Sequence, residues 1–224
     1  MDIGQVTPGV MLNQQYRMHQ QIMQFSAEQF YAGDLRADAS VQDHRLGPEI
    51  APLEFVDTAG CGFDETKHPE TLSTGNPEEA QLLLRHLALL FSHLEKAHPS
   101  LLERDFQVGI IAPYKYQVRI LRDQLRNSPM LQTFTRYIAV NTVDGFQGQE
   151  RDVIYISLTR SNRKGEIGFL GDTRRMNVAL TRARFKLVVV GDSATLGEHP
   201  FYRDFLQYAE EVGAYRSAWE FMEY

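Results

Sequence analysis

Cysteine is almost missing from this chain: one thiol, Cys61, stands in 224 residues, which excludes an internal disulfide framework and fits a reducing compartment. The seven histidines are scattered without Cys/His ligand spacing, so spacing predicts no metal site. No run approaches the roughly 18 apolar residues of a membrane span. The N-terminus also lacks the basic-then-apolar order of a secretion signal, so a cytoplasmic protein with no membrane partner is expected. Positive charge is in deficit, 23 Lys and Arg against 29 Asp and Glu. The net charge of -6 excludes a polybasic binder but leaves room for a local basic groove. A G-x-G-x-x-G after an early strand is absent, which excludes a dinucleotide-binding oxidoreductase. So are a G-x-x-x-x-G-K-[ST] cradle and a strand ending in paired acids to hold magnesium.

What is present is an ordinary globular balance, 43% hydrophobic and 23% charged, enough for one buried core. A helix is expected over Val10 to Tyr31, stopped by Gly33, with the polar stretch Leu12 to His19 leading into it. Residues 34–76 read as a loop-rich excursion around one short strand, Leu53 to Val56. The next helix has Asn76 as cap, Pro77 at its first position, Glu79 as a capping-box carboxylate, and a stripe from Ala80 to Leu94. Strands are expected at Val108 to Ala112, Tyr137 to Val140, Val153 to Leu158 and Leu187 to Asp192. Helices are expected at Lys115 to about Arg126, Thr173 to Arg184 capped by Asp172, and Phe201 to Val212. Strands alternating with helices predict an α/β fold, a mostly parallel sheet with helices on both faces. Residues 1–192 would form the domain. Residues 193–224 would pack on it as a helical, aromatic extension, with Tyr215, Trp219, Phe221 and Tyr224 covering the sheet.

Asn141 to Glu150, N-T-V-D-G-F-Q-G-Q-E, concentrates polar groups between two strands, where α/β proteins place ligand chemistry. Letter by letter, Asp144, Gln147 and Glu150 equally suit turn chemistry. Arg17 and Arg182 could serve a phosphate through a planar fork, or lie on the surface against the C-terminus of their own helix.

Taken in order, four segments resemble the C-terminal motor-domain motifs of superfamily 1 helicases, in the branch containing the nonsense-decay helicase and the Dna2-like and senataxin-like enzymes. They are Gln15-Tyr16-Arg17-Met18-His19, Ile111-Ala112-Pro113-Tyr114, Thr142 to Glu150, and Arg174 to Arg184. The resemblance, spanning about residues 12 to 192, implies a RecA-like, P-loop NTPase-type three-layer fold. It implies that Arg17 and Arg182 reach the γ-phosphate of ATP, with Tyr16, Gln147, Gly148 and Glu150 lining the nucleotide. Pro113, Tyr114, Thr142 and Val143 would contact single-stranded DNA or RNA, and Asp144 and Arg175 would couple the two sites. In that family ATP and Mg2+ are held mainly by an N-terminal P-loop domain, which would lie before Met1. That domain would be the partner, and the chain alone is expected not to hydrolyse ATP. The competing expectation is a non-catalytic module for nucleic acid or protein.

Overall fold

The computed structural model describes residues 13–222. Val10 to Leu12 of the expected first helix, and Tyr224 of the aromatic end, lie outside the described residues. In chain order the elements are β1 (Gln14–Gln15), α1 (Gln20–Phe30), β2 (Arg36–Ala37), β3 (Leu53–Asp57), β4 (Thr66–Lys67), β5 (Thr74–Gly75), α2 (Pro77–Ala97), α3 (Pro99–Glu103), β6 (Val108–Ala112), α4 (Lys115–Arg126), β7 (Ile138–Thr142), β8 (Arg151–Ser157), α5 (Thr173–Leu180), β9 (Ala183–Gly191), α6 (Ser193–Leu196), α7 (Pro200–Glu211) and β10 (Tyr215–Ser217). No described helix is long and apolar enough to cross a membrane.

Six strands form one sheet in the order β10, β3, β9, β8, β6, β7, and every neighbouring pair is parallel. Parallel strands need crossovers, and the crossovers cover both faces, which is why the central strands read as unbroken apolar runs. The pleat divides those runs. Phe55, Ile154, Ile156, Leu187 and Val189 pack with residues of α1, α5 and α7. Their neighbours Val56, Val153, Tyr155, Val188 and Val190 pack with residues of α2 and α4. This is the predicted α/β architecture.

Several boundaries differ from expectation. The first helix begins at Gln20, because the His19 side chain caps it by accepting from the Gln21 amide. The helix expected to reach Arg184 stops at Leu180. There the Thr181 hydroxyl turns back to the Asn177 and Val178 carbonyls, and Ala183 already begins a nine-residue strand. Arg182 therefore sits in a tight helix-to-strand turn. The short strand expected in the excursion is β3, inside the main sheet, and a hairpin of β4 and β5 follows it. At the far end β10 adds an edge strand, and Trp219 stands 46% exposed rather than covering the sheet.

The capping box at α2 is half made. Asn76 accepts from the Glu79 amide, but the Glu79 carboxylate does not return to the cap. It is fully buried, where Glu79 Oε1 accepts from the Ser157 hydroxyl at 2.5 Å and the Thr159 amide at 2.9 Å, and Oε2 has no partner. Burial dominates and raises this carboxyl to about 8, against those two hydrogen bonds. A raised acid costs the fold nothing while both states are protonated, but once the unfolded chain ionises and the buried carboxyl does not, the unfolded state gains. Stability is therefore full below the ordinary glutamate range and falls as pH rises from about 5 to about 8. Denaturant melts across that window should show a loss of about 1.4 kcal/mol per pH unit, the equivalent of one proton. Glu79→Gln should flatten that slope, and an unchanged slope would remove Glu79 as its source.

Candidate functional site

The Gln15 to His19 stretch is shaped by its own first residue. Gln15 Oε1 accepts from the amides of Arg17 and Met18 at 2.8 and 2.7 Å, and its Nε2 donates to the Met18 carbonyl. Met18 is thereby sunk into the core, while Tyr16 is left 66% exposed. A backbone bond from His19 to the Arg184 carbonyl ties the turn to the start of β9. Arg17 consequently lies beside the N-terminal ends of β8 and β9. Its Nε donates to Glu150 Oε2 at 2.6 Å and its Nη1 to the Thr181 carbonyl at 3.1 Å.

Glu150, just before β8, is shared. Its second oxygen lies 3.2 Å from Arg184 Nε, and Arg184 also reaches Asp152 at 3.7 Å. The hydrogen bond from Arg17, then the charges of Arg17, Arg184 and Arg182, hold the Glu150 carboxyl below its usual range against partial burial. Arg182 donates Nε to the Val178 carbonyl at 3.0 Å, the bond to its own helix end that its sequence position allows. Among the described residues no carboxylate pairs with it. Burial, then the neighbouring Arg17 charge, pull its guanidinium below the usual range, and Glu150 pulls the other way. Three guanidinium groups thus gather at Glu150, and one of the three, Arg182, is partly buried and has no ion pair among the described residues. The donor set fits a phosphate.

The second half of the site lies at the opposite end of the sheet. Pro113 follows β6, and Thr142 ends β7, which pairs in register with β6 through Ala112 and Thr142. With Val143, Asp144, Asp172 and Arg175 they wall a narrow cleft of about 30 Å³ that Phe169 borders. Tyr114 is buried, and its hydroxyl donates to the Ile167 carbonyl at 3.4 Å and accepts from the Phe169 amide at 3.3 Å. What it supplies to the cleft is the position of the 167–169 turn.

Two elements join the ends. After β7 the chain returns from the C-terminal to the N-terminal edge of the sheet in eight residues, 143–150, with a single helical turn at Asp144–Phe146. A five-residue strand is only about 17 Å long, so one helical turn and four further residues suffice. Phe146 is buried over Gly109 of β6, where an added Cβ would lie 3.0 Å from its ring. Gln147 and Gly148 are exposed along this crossover, Gly148 at φ +75. The other connector is α5. Arg175 in its first turn lies 3.7 Å from Asp144 and 3.6 Å from Asp172, and Thr181 at its end receives Arg17. An eight-residue helix is a rod of about 12 Å.

Sequence reading missed Arg184 as a site residue because it extended the helix through it. With Ala183 in a strand, the two-residue alternation puts Arg182 and Arg184 on one side, and that period was the available signal. Arg160 was also missed. It is 4% exposed, with Nε 2.6 Å from Glu65 Oε2 and Nη1 3.3 Å from the Tyr114 hydroxyl. Spacing predicted no metal cluster, yet Glu49, His93 and His98 bring three donor atoms within 4.8 Å. Both imidazoles donate to the same Glu49 oxygen, at 2.7 and 2.6 Å, and satisfy one another as a hydrogen-bonded group. Those two bonds hold the Glu49 carboxyl at about 2.

The family model described as AAA domain matches residues 4–194. DNA-binding protein SMUBP-2 of Rattus norvegicus is 40% identical over 95% of this chain and 21% of its own length. DNA polymerase alpha-associated DNA helicase A of Saccharomyces cerevisiae is 39% identical over 83% of this chain and 28% of its own. Helicase SEN1 of the same yeast is 35% identical over 90% of this chain and 9% of its own. The chain therefore spans about a fifth of the length of the SMUBP-2 relative. Among solved structures, the C-terminal domain of a possible DNA helicase from Lactobacillus plantarum WCFS1 superposes with a TM-score of 0.51. At 12% identity, over 91% of this chain and 98% of that one, the likeness is one of fold.

Proposed function

Because this chain belongs to the AAA domain family, we propose that it is the second RecA-like motor domain of an ATP-dependent helicase. In this reading it supplies Arg17 and Arg182 to the γ-phosphate of ATP and one wall of a groove for single-stranded DNA or RNA. The observation that carries the proposal is the meeting of Arg17, Arg182 and Arg184 around Glu150, reached from three separate stretches of chain. A module that only bound nucleic acid would have no use for a partly buried guanidinium left without an ion pair at the edge remote from the Pro113 and Thr142 cleft.

ATP, bound with Mg2+ mainly by a P-loop domain, supplies the transferring phosphoryl group; this chain supplies charge and position. Glu150 holds the Arg17 fork in place, and Arg182 is held by the Val178 carbonyl, so both guanidiniums are oriented before any phosphate arrives. Tyr16, exposed on a pinned turn, offers its ring to the base. Closure onto the nucleotide moves Arg17 and therefore the Thr181 end of α5, and Arg175 at the other end moves Asp144 beside the strand groove. Nucleotide state and strand contact are coupled through that rod and the 143–150 crossover.

The test joins this chain to its P-loop half and measures ATP turnover with and without single-stranded oligonucleotide. The joined protein should hydrolyse ATP and be stimulated by the strand. Tyr16→Ala should raise KM for ATP about tenfold with kcat nearly unchanged, because stacking on the base is the same in ground and transition states. Absence of turnover in the joined protein would overturn the motor reading, and a KM within about twofold would remove Tyr16 from the site.

A further inference from the structure

Six large apolar side chains are exposed among the described residues, and two of them, Phe169 and Leu72, line one cleft. Phe169 is 65% exposed and Leu72 71% exposed. Neither position is accidental to the fold. Leu72, in the loop joining β4 to β5, is held at φ +57, a left-handed conformation that a bulky residue adopts only under constraint, and such strain collects at ligand clamps. Phe169 follows Gly168, whose φ of +54 and lack of a side chain are both required. A Cβ there would lie 2.4 Å from Arg160 Nη1 and 2.7 Å from the Tyr114 hydroxyl. Arg160, Tyr114 and Glu65 thus form a buried platform under the turn, and the Tyr114 hydroxyl accepts from the Phe169 amide itself. A buried polar network has been built to present an apolar ring to solvent.

The cleft holds about 620 Å³, and Lys67 and Arg160 are among its lining residues, with no carboxylate. Arg160 is neutralised by Glu65, which leaves Lys67, half-exposed and only 3.8 Å from that same carboxylate, as the cation free to turn toward a phosphate. Phe169 also borders the Pro113 and Thr142 cleft, so its ring stands between the two clefts.

We propose that Phe169 and Leu72 are the two jaws of a nucleobase-binding site in which one base of the bound single strand stacks on Phe169 while Lys67 meets its phosphate. The proposal rests on the strand-binding reading above and extends the groove past Pro113. Every base has a π-face, so the grip is independent of sequence.

The test uses this chain with a single-stranded pyrimidine oligonucleotide carrying 2-aminopurine at successive positions. Wild type should quench the probe at one register. Phe169→Ala should abolish that quench and weaken binding about tenfold or more, Phe169→Trp should keep both, and Leu72→Ala should weaken the quench. Thr142→Glu, which puts a charge against the strand in the first cleft, reports on the groove separately. Binding lost in Thr142→Glu but within twofold in Phe169→Ala, with the quench intact, overturns the clamp and keeps the groove. Loss in Phe169→Ala alone keeps the clamp and overturns the groove, and no binding by wild type overturns both.

Discussion

Replacing Arg182 with alanine, in the chain joined to its P-loop half, is expected to lower kcat for ATP by on the order of 10³ or more. The size follows from where the charge sits. Arg182 is partly buried beside Arg17, and among the described residues no carboxylate neutralises it. Its Nε is spent on the Val178 carbonyl, which orients the fork and leaves both terminal nitrogens for a ligand. A preoriented, partly buried cation acts most strongly on charge that develops in the transition state. The loss should therefore appear in kcat, with KM moving only a few-fold. Arg182→Lys should recover part of it, since the charge returns without the planar fork. Folding should be nearly untouched, because removing a cation that repels Arg17 breaks no ion pair. Turnover within about threefold of wild type in Arg182→Ala would show that this residue is not a finger.

Lys186→Met is expected to cost about 3–5 kcal/mol of folding stability, the range for removing one partner of a buried ion pair. At roughly 2–4 °C per kcal/mol for a domain of this size, Tm should fall by roughly 6–20 °C. Lys186 is 1% exposed at the second register position from the start of the β8 and β9 pairing, where it donates to the Ala51 carbonyl at 2.8 Å and pairs with Glu54 of β3. Glu54 in turn accepts from His86 of α2 at 2.9 Å, and His86 meets the Tyr155 hydroxyl at 2.8 Å. Methionine matches the length of lysine but leaves the Glu54 carboxylate among apolar neighbours. Burial alone would raise that carboxyl, yet the hydrogen bond from His86 and the charge of Lys186 outweigh it and hold it at about 2. A lowered acid stabilises the fold above the ordinary glutamate range, and its contribution is lost as pH falls from there toward about 2. Melts of Lys186→Met should show a weaker acid dependence over that window. Adding Glu54→Leu should restore much of the stability, because an apolar pair can replace a buried ionic one. A Tm change under about 3 °C in the single variant would contradict the pairing.

The strand runs at Val108, Val153 and Leu187, and the α2 stripe from Ala80 to Leu94, were legible from the sequence. Burial on both faces of a parallel sheet, and on one face of a helix, writes itself into apolar period. The order of the motif residues was legible too, since Arg17, Thr142 to Glu150 and Arg182 lie in sequence as the resemblance requires. Their meeting was not. Whether Arg182 ends a helix or turns into a strand depended on the Thr181 hydroxyl and on the β9 register, and that register brought Arg184 to Glu150. The destination of the Glu79 carboxylate, the pairing of Glu54 with Lys186, and the burial of Tyr114 beneath an exposed Phe169 were likewise decided by packing. Local letters carry period and capping because those act within a few residues. Only tertiary structure brings together charges more than a hundred residues apart, such as Arg17 and Glu150, since the energy that selects the pair exists only after the sheet has formed.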